Sequence, residues 1–241
     1  MDSWASRMVV AVISYYQDDS VTIYHGDCRE ILPTLSGIGL VVTDPPYTFG
    51  LASTDQEGKA GGWGDLMNNA LFYGAWLAET RKLTNAQQGA VWVFNSWRSF
   101  PVLARASFEI RWPITSLLVW DKRALGLGGA KGLRPTYELV ALFAHDTFQI
   151  KDRTVRDIWT VPQGGSRQTE HPAEKPVDLL GRIVRESGMN GAVLDPFAGS
   201  GSTLVAAKRE GRCAIGIEIE ERWCEVAAQR CAQNVLDLEV A

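Results

Sequence analysis

Short apolar runs alternate along this chain with longer stretches whose apolar residues recur every three to four positions, and glycine, proline and polar clusters separate them. That alternation predicts strands and helices in turn. Strands are expected at 21–27 (ending in a turn), 40–43, 90–94, 114–120, 137–144, 192–194 and 213–217. Helices are expected at 28–35, 68–83, 100–108, 176–186, 202–210 and 220–234. In 68–83 the helical period is carried by Leu71, Phe72, Ala75, Trp76 and Ala78, and in 176–186 by Val177, Leu179, Leu180, Ile183 and Val184. Runs such as Leu40-Val41-Val42 and Ala192-Val193-Leu194 are continuously apolar, as in strands covered on both faces. The fold class is therefore α/β, a doubly wound, mostly parallel sheet with helices on either side.

Three segments interrupt the pattern. Residues 48–64 hold five glycines beside the end of the second strand and read as a mobile loop. Residues 121–132 form a second glycine-rich and basic loop between two strands, and 146–169 are polar and basic with no apolar period. The 241 residues suit one domain, here 1–241. By the same pattern it divides into about 18–145, a short basic insert at about 146–170, and about 171–241. No apolar run approaches the roughly 18 residues of a membrane span. The apolar run at 9–13 is too short and poorly flanked for a signal peptide. Four cysteines without a CxxC pair, and three histidines, argue against a metal site and for reduced thiols in a cytoplasmic setting.

A net charge of −4 does not advertise a polyanion partner, and its distribution leaves both a polyanion contact and an ordinary solvated surface open. Residues 81–167 carry 13 Lys and Arg against 6 Asp and Glu, so a basic middle sits inside an acidic protein. Lys122, Arg123, Lys131 and Arg134 flank the second glycine loop, and Lys151, Arg153, Arg156 and Arg167 follow in the polar stretch. Each can meet a phosphate or a guanine edge, and composition does not choose between them.

Two strand-exit loops concentrate the chemistry. In Phe197-Ala198-Gly199-Ser200-Gly201-Ser202-Thr203, two glycines bracket one residue between a strand and a helix, which lets backbone approach a ligand closely. A second strand ends at Glu218, 17 residues after Gly201, where a carboxylate can accept both hydroxyls of a ribose. The loop lacks the GxGxxG pattern of a pyrophosphate site and the lysine of a phosphate-binding GxxxxGK[ST] loop. A nucleoside cofactor without phosphates is left, and S-adenosylmethionine fits. Phe197 either packs on that cofactor or fills the core.

The other loop is Asp44-Pro45-Pro46-Tyr47. Consecutive prolines fix φ and remove two donors, leaving a rigid frame of outward carbonyl acceptors. Asp44 adds a carboxylate and Tyr47 a flat aromatic face. An exocyclic amine on a nucleobase needs this combination, because acceptors bonded to its hydrogens favour a more tetrahedral and more nucleophilic nitrogen.

With these residues in place the chain resembles the amino-group DNA methyltransferases that use S-adenosylmethionine, over nearly its whole length. Asp44-Pro45-Pro46-Tyr47 matches the family's catalytic motif, and the segment from Asp195 to Thr203 its cofactor motif. His171-Pro172-Ala173-Glu174-Lys175-Pro176 resembles the HPxxKP segment that opens a cofactor-lining helix. Gly26-Asp27-Cys28 resembles the turn near the cofactor adenine. The catalytic motif precedes the cofactor motif, the permuted order of the β group, which implies a catalytic half at about 18–145, a short basic recognition insert at about 146–170 and a cofactor half at about 171–241.

The resemblance implies a Rossmann-like, seven-stranded sheet with one antiparallel strand. It places Asp27, Cys28, Asp44, His171, Lys175, Pro176, Asp195, Phe197, Gly199, Ser200, Gly201, Ser202, Thr203 and Glu218 around the cofactor. It implies double-stranded DNA as partner and a homodimer, as members of this group often form. Asp in the first catalytic position favours adenine N6 over cytosine N4. The target base must leave the duplex, with 48–64 as closing loop and Trp63 as either a further aromatic contact or local packing.

Overall fold

The computed structural model describes residues 13–46, 63–84, 88–124, 132–163 and 174–239, with the side chains of 63–68 and 234–239 outside that description. Its elements, in chain order, are β1 (Tyr16–Gln17), β2 (Val21–His25), α1 (Cys28–Ile31) with a 3-10 turn (Leu32–Thr34), β3 (Ile38–Thr43), α2 (Trp63–Leu83) and β4 (Ala90–Asn95). There follow α3 (Phe100–Glu109), β5 (Ser116–Asp121), β6 (Tyr137–Ala144), β7 (Ile158–Thr160), α4 (Val177–Ser187), β8 (Ala192–Asp195), α5 (Ser202–Arg209), β9 (Ala214–Glu218) and α6 (Glu221–Glu239).

The strands form one sheet in the order β1-β2-β9-β8-β3-β4-β6-β5-β7. From β2 to β5 it is the expected seven-stranded core, in which β6 alone runs antiparallel to its neighbours β4 and β5. Two short strands extend it, β1 antiparallel on β2 and β7 parallel on β5. Neither was expected, because two or three residues carry no readable period. Each is an edge strand defined by its neighbour's free ladder.

Alternate residues of the central strands feed two cores. Leu40, Val42, Trp92, Phe94 and Val193 face α4, α5 and α6, while Val41, Val91, Val93 and Leu194 face α1, α2 and α3. Helix α2 begins at Trp63, inside the expected loop, so Trp63 and Gly64 are helical. Its buried stripe is Ala70, Tyr73, Trp76, Leu77 and Thr80, and Leu71 is 69% exposed. Of the expected stripe Trp76 is buried and Phe72 packs against the core, but Leu71 and Ala75 face outward, because apolar residues surround this helix and the sheet, not composition, chooses the face.

The sheet order fixes where a ligand can sit. After β8 the chain passes through α5 to β9 on one side, and after β3 through α2 to β4 on the other. Helices α5 and α2 cover opposite faces. The C-terminal ends of β3 and β8 therefore flank the topological switch point, where open α/β sheets bind ligands.

Candidate active site

The two motif loops leave neighbouring parallel strands. Val41 of β3 pairs with Leu194 of β8, and the Thr43 hydroxyl donates to Asp195 Oδ1 at 2.7 Å. The same oxygen accepts the Phe197 amide at 3.1 Å, and Thr203 adds a further side-chain bond. Burial pushes the Asp195 carboxyl up to about 6 against the pull of those donors, and nearby Asp44 adds to the rise.

Asp44 is met from below by Lys175, whose Nζ donates to its Oδ2. Lys175 also lies 3.3 Å from Glu138 Oε2, and Glu138 Oε1 lies 3.2 Å from Lys122 Nζ. Burial would lower the Lys175 ammonium's pKa, but Asp44 and Glu138 outweigh it and raise it. Burial would likewise raise Glu138, but Lys175 and Lys122 hold it below the usual carboxylate value. The frame of the loop is fastened from α2, where the buried Tyr73 hydroxyl donates to the Pro46 carbonyl at 3.1 Å.

On the other side of the switch point, Glu218 ends β9. Its Oε2 accepts the Gly199 amide at 2.8 Å and its Oε1 the Glu220 amide at 2.8 Å. A carboxylate offers roughly four acceptor positions, so this one is oriented by the backbone with capacity left for a hydroxyl pair. Gly201 adopts φ +81°, and a Cβ there would stand 2.8 Å from that of Ala227, so only glycine closes the turn against α6. The Gly26 amide donates to the Glu218 carbonyl at 2.9 Å, which brings the Asp27–Cys28 turn alongside. Asp27 caps α1 and pairs with Arg29, which holds its carboxyl below the ordinary value, while burial pushes the Cys28 thiol up to about 12. Phe197 meets Trp76 edge-on at 5.4 Å and Phe72 at 5.9 Å, forming a wall between the loops and α2.

Arg230 of α6 holds this half together. It is 6% exposed, and its Nη1 donates to the Ser200 carbonyl at 2.7 Å and to the Ser200 and Ser202 hydroxyls at 3.1 Å. Its Nη2 donates to Glu174 Oε1 at 2.8 Å. The glycine loop and the segment that carries Lys175 and Pro176 are thus clamped by one guanidinium. Tyr73, Glu138, Glu174 and Arg230 were not singled out from sequence. The signal was there for two of them: Glu138 occupies a core-facing phase of β6 with Val140 and Leu142, and Arg230 adjoins the buried Ala227 and Cys231 of α6.

The basic candidates divide by location. Arg123 and Arg134 are exposed on the β5–β6 connection, at the same sheet edge as Asp44, where Trp97 and Leu133 are exposed as well. Lys122, expected on the surface, is 8% exposed with its ammonium turned inward to Glu138. Arg153 and Arg156 precede β7 and line a cavity with Ser116, the first residue of β5, at the far end of the sheet. Tyr47, Lys131, Arg167, His171 and the loop at 48–62 lie outside the described residues.

Comparison with known proteins adds what geometry alone does not. The N6/N4 DNA methylase family model matches residues 38–229. The type II methyltransferase M.ScaI of Streptomyces caespitosus is 27% identical over 90% of this chain and 83% of its own length. The DNA adenine methyltransferase YhdJ of Escherichia coli is 28% identical over 89% and 84%. Among solved structures, a DNA modification methylase of Thermus thermophilus complexed with S-adenosylmethionine superposes with a TM-score of 0.67 at 22% identity, over 88% of this chain and 95% of that one. The cytosine-N4-specific PvuII DNA methyltransferase does so with a TM-score of 0.72 at 20% identity, over 90% and 88%. These two likenesses concern the fold.

Proposed function

Because the chain belongs to the N6/N4 DNA methylase family, we propose that it transfers the methyl group of S-adenosylmethionine to the exocyclic N6 amine of an adenine extruded from double-stranded DNA. The observation that carries this reading is the Thr43–Asp195 contact, which sets the amine-accepting loop beside the glycine loop at the switch point. YhdJ, named as an adenine enzyme, and Asp44 in the first catalytic position support the choice of base.

The residues present fit the cofactor. Glu218, oriented by two amides, receives the ribose hydroxyls. The tight turn at Gly201 brings backbone against the ligand, and Phe197 with Trp76 walls the site. Asp27, Cys28 and Pro176 line it, and Ser200, Ser202 and Thr203 shape the loop. When bound, S-adenosylmethionine supplies an electrophilic methyl group on a sulfonium centre. Asp44 and the carbonyls of the proline frame accept the amine hydrogens, which concentrates electron density on the nitrogen lone pair. Asp44 or water then takes the proton that the methylated amine releases. Tyr47 stacks on the extruded base. No covalent enzyme intermediate is required, so catalysis is positional and electrostatic.

Arg123 and Arg134 meet the DNA backbone beside the site. Type II relatives such as M.ScaI support a restriction–modification setting in a bacterial cytoplasm. A second reading, cytosine N4, is the other chemistry of the N6/N4 family, because both bases present an exocyclic amine to the same acceptors.

One assay decides. The protein is incubated with labelled S-adenosylmethionine and unmethylated DNA, and the modified nucleoside is identified by mass spectrometry. N6-methyladenine is expected. N4-methylcytosine would establish the second reading, and an absence of label in DNA would reject both. Asp44→Ala should abolish turnover while retaining cofactor affinity.

A further inference from the structure

Glu138 lies outside every motif segment described above. It is the second residue of β6, the antiparallel strand inserted between β4 and β5, and pairs with Trp120 near the end of β5. From there its carboxylate reaches the catalytic edge and stands between two ammonium groups, Lys122 of the β5 exit at 3.2 Å and Lys175 at 3.3 Å. Lys175 in turn pairs with Asp44. Four charges therefore alternate in sign along one line, drawn from the exit of β5, β6, the segment before α4, and the exit of β3. Their side chains are 10%, 14%, 8% and 20% exposed in that order.

Such a line is an expensive way to hold strands together, since buried ion pairs seldom outperform apolar packing of the same volume. Its geometry has a more specific consequence. A lysine has a flexible four-carbon stem and a nearly isotropic head, so an ammonium held by Asp44 alone would leave both groups free to swing. Here the head is fixed from three sides: by Asp44, by Glu138, and by the face of Phe94, whose centroid is 5.5 Å away. Lys122 restrains Glu138 in the same manner from the side remote from the site.

We propose that Glu138 is a positioning residue for methyl transfer: anchored by Lys122, it fixes the Lys175 ammonium and, through it, the orientation of the Asp44 carboxylate that receives the target amine. The inference rests on the role given to Asp44 above. It also reassigns Lys175, whose partner is the acceptor of the amine as well as any cofactor it lines.

The test uses the full-length protein with saturating DNA and S-adenosylmethionine. Glu138→Gln keeps the shape but removes the anchoring charge. The double variant Lys122→Met/Glu138→Gln removes one charge of each sign and so avoids leaving an unmatched ammonium. Misplacement of a reacting group by about 1 Å can cost on the order of 100-fold, so the single-turnover rate should fall by between about 10-fold and 100-fold in both variants. The cofactor Kd, measured by calorimetry, should stay within about twofold of wild type, and Glu138→Asp should recover part of the rate.

A folded variant with a rate within about twofold of wild type would overturn the proposal. So would a weakened cofactor Kd with an unchanged rate, which would make Lys175 a cofactor group only. If both variants unfold below the assay temperature, the charges serve the fold and the proposal falls. Wild-type protein assayed alongside separates the two readings: an inactive wild type rejects the function and this inference with it, whereas an active wild type with an equally active Glu138→Gln rejects the positioning role alone.

Discussion

The hydroxyl of Thr43 donates to the carboxylate of Asp195 across 2.7 Å, joining two strand ends that are 152 residues apart in the chain. Both groups are buried, so the bond fastens the end of β3 to the end of β8 and holds the Asp-Pro-Pro loop beside the glycine loop. Thr43→Val keeps the shape and deletes the donor. Loss of a buried partner costs about 1–3 kcal/mol, which for a chain of this size lowers Tm by roughly 2–4 °C per kcal/mol. Combining it with Asp195→Ala, which removes the acceptor, in a double-mutant cycle should return a coupling of more than about 0.5 kcal/mol. A coupling near zero in urea titrations would mean that the contact contributes nothing in solution.

Asp195 also gives the fold a pH dependence of unusual sign. Its carboxyl is pushed up to about 6 by burial, so between its ordinary value and about 6 the folded state keeps a proton that the unfolded chain releases. Stability contributed by this group is present at low pH and lost as pH rises through that window, by about 3 kcal/mol in total. Acidic groups held low by partners, such as Asp18 and Asp27, act in the opposite direction. The wild type and Asp195→Asn share these, so they cancel in a comparison. The stability of Asp195→Asn relative to wild type should therefore rise by about 3 kcal/mol from pH 3 to pH 7 in urea unfolding. A flat difference would show that the carboxyl is not perturbed.

Tyr73 supports the proline frame from beneath. Burial, with the nearby Asp44 charge, raises its phenol, so it stays a donor to the Pro46 carbonyl throughout any practical assay range. Tyr73→Phe removes one hydrogen bond and should cost about 0.5–1.5 kcal/mol of stability. The larger effect falls on kcat, expected to drop about 10-fold as the acceptors for the amine lose their fixed direction. Cofactor affinity should be unchanged, since the hydroxyl donates to the Pro46 carbonyl and Phe keeps the ring that packs on Trp76 and Phe72. A raised cofactor Kd with normal kcat would contradict this division of labour.

How much of this was legible beforehand follows from sequence separation. The Asp-Pro-Pro and glycine-loop segments announce themselves because their backbone chemistry is local, and the strands before them because a run buried on both faces is continuously apolar. What those loops rest on is non-local. Tyr73 reaches Pro46 over 27 residues, Arg230 reaches Ser200 over 30, and Lys175 reaches Asp44 over 131. A single polar residue in an apolar stripe, as at Glu138, signals a buried partner without identifying it. Lys122 was misjudged for the same reason: its basic neighbours suggested a surface, and only the register of β5 with β6 turns it toward Glu138. The error at Leu71 is of another kind, since a helix with apolar residues on all sides takes its buried face from the sheet it meets.

Arg230 yields the sharpest separation between holding the fold and shaping the cofactor loop. Its guanidinium serves Ser200 and Ser202 through Nη1 and Glu174 through Nη2, and both members of the ion pair are at most 7% exposed at the side chain. Arg230→Met takes the guanidinium away from the buried Glu174 carboxylate, at a cost of about 3–5 kcal/mol, and Tm should fall by on the order of 10 °C. Arg230→Met/Glu174→Met removes both charges, and most of that loss should be recovered, because an apolar pair avoids desolvating two ions. Cofactor affinity should not recover with it. The Ser200 carbonyl and the two hydroxyls would still lack the donor that sets the turn, so calorimetric Kd should remain at least about 10-fold weaker than wild type in both variants. Affinity restored together with Tm would show that Arg230 acts only through the stability of the fold and that the glycine loop keeps its shape without it.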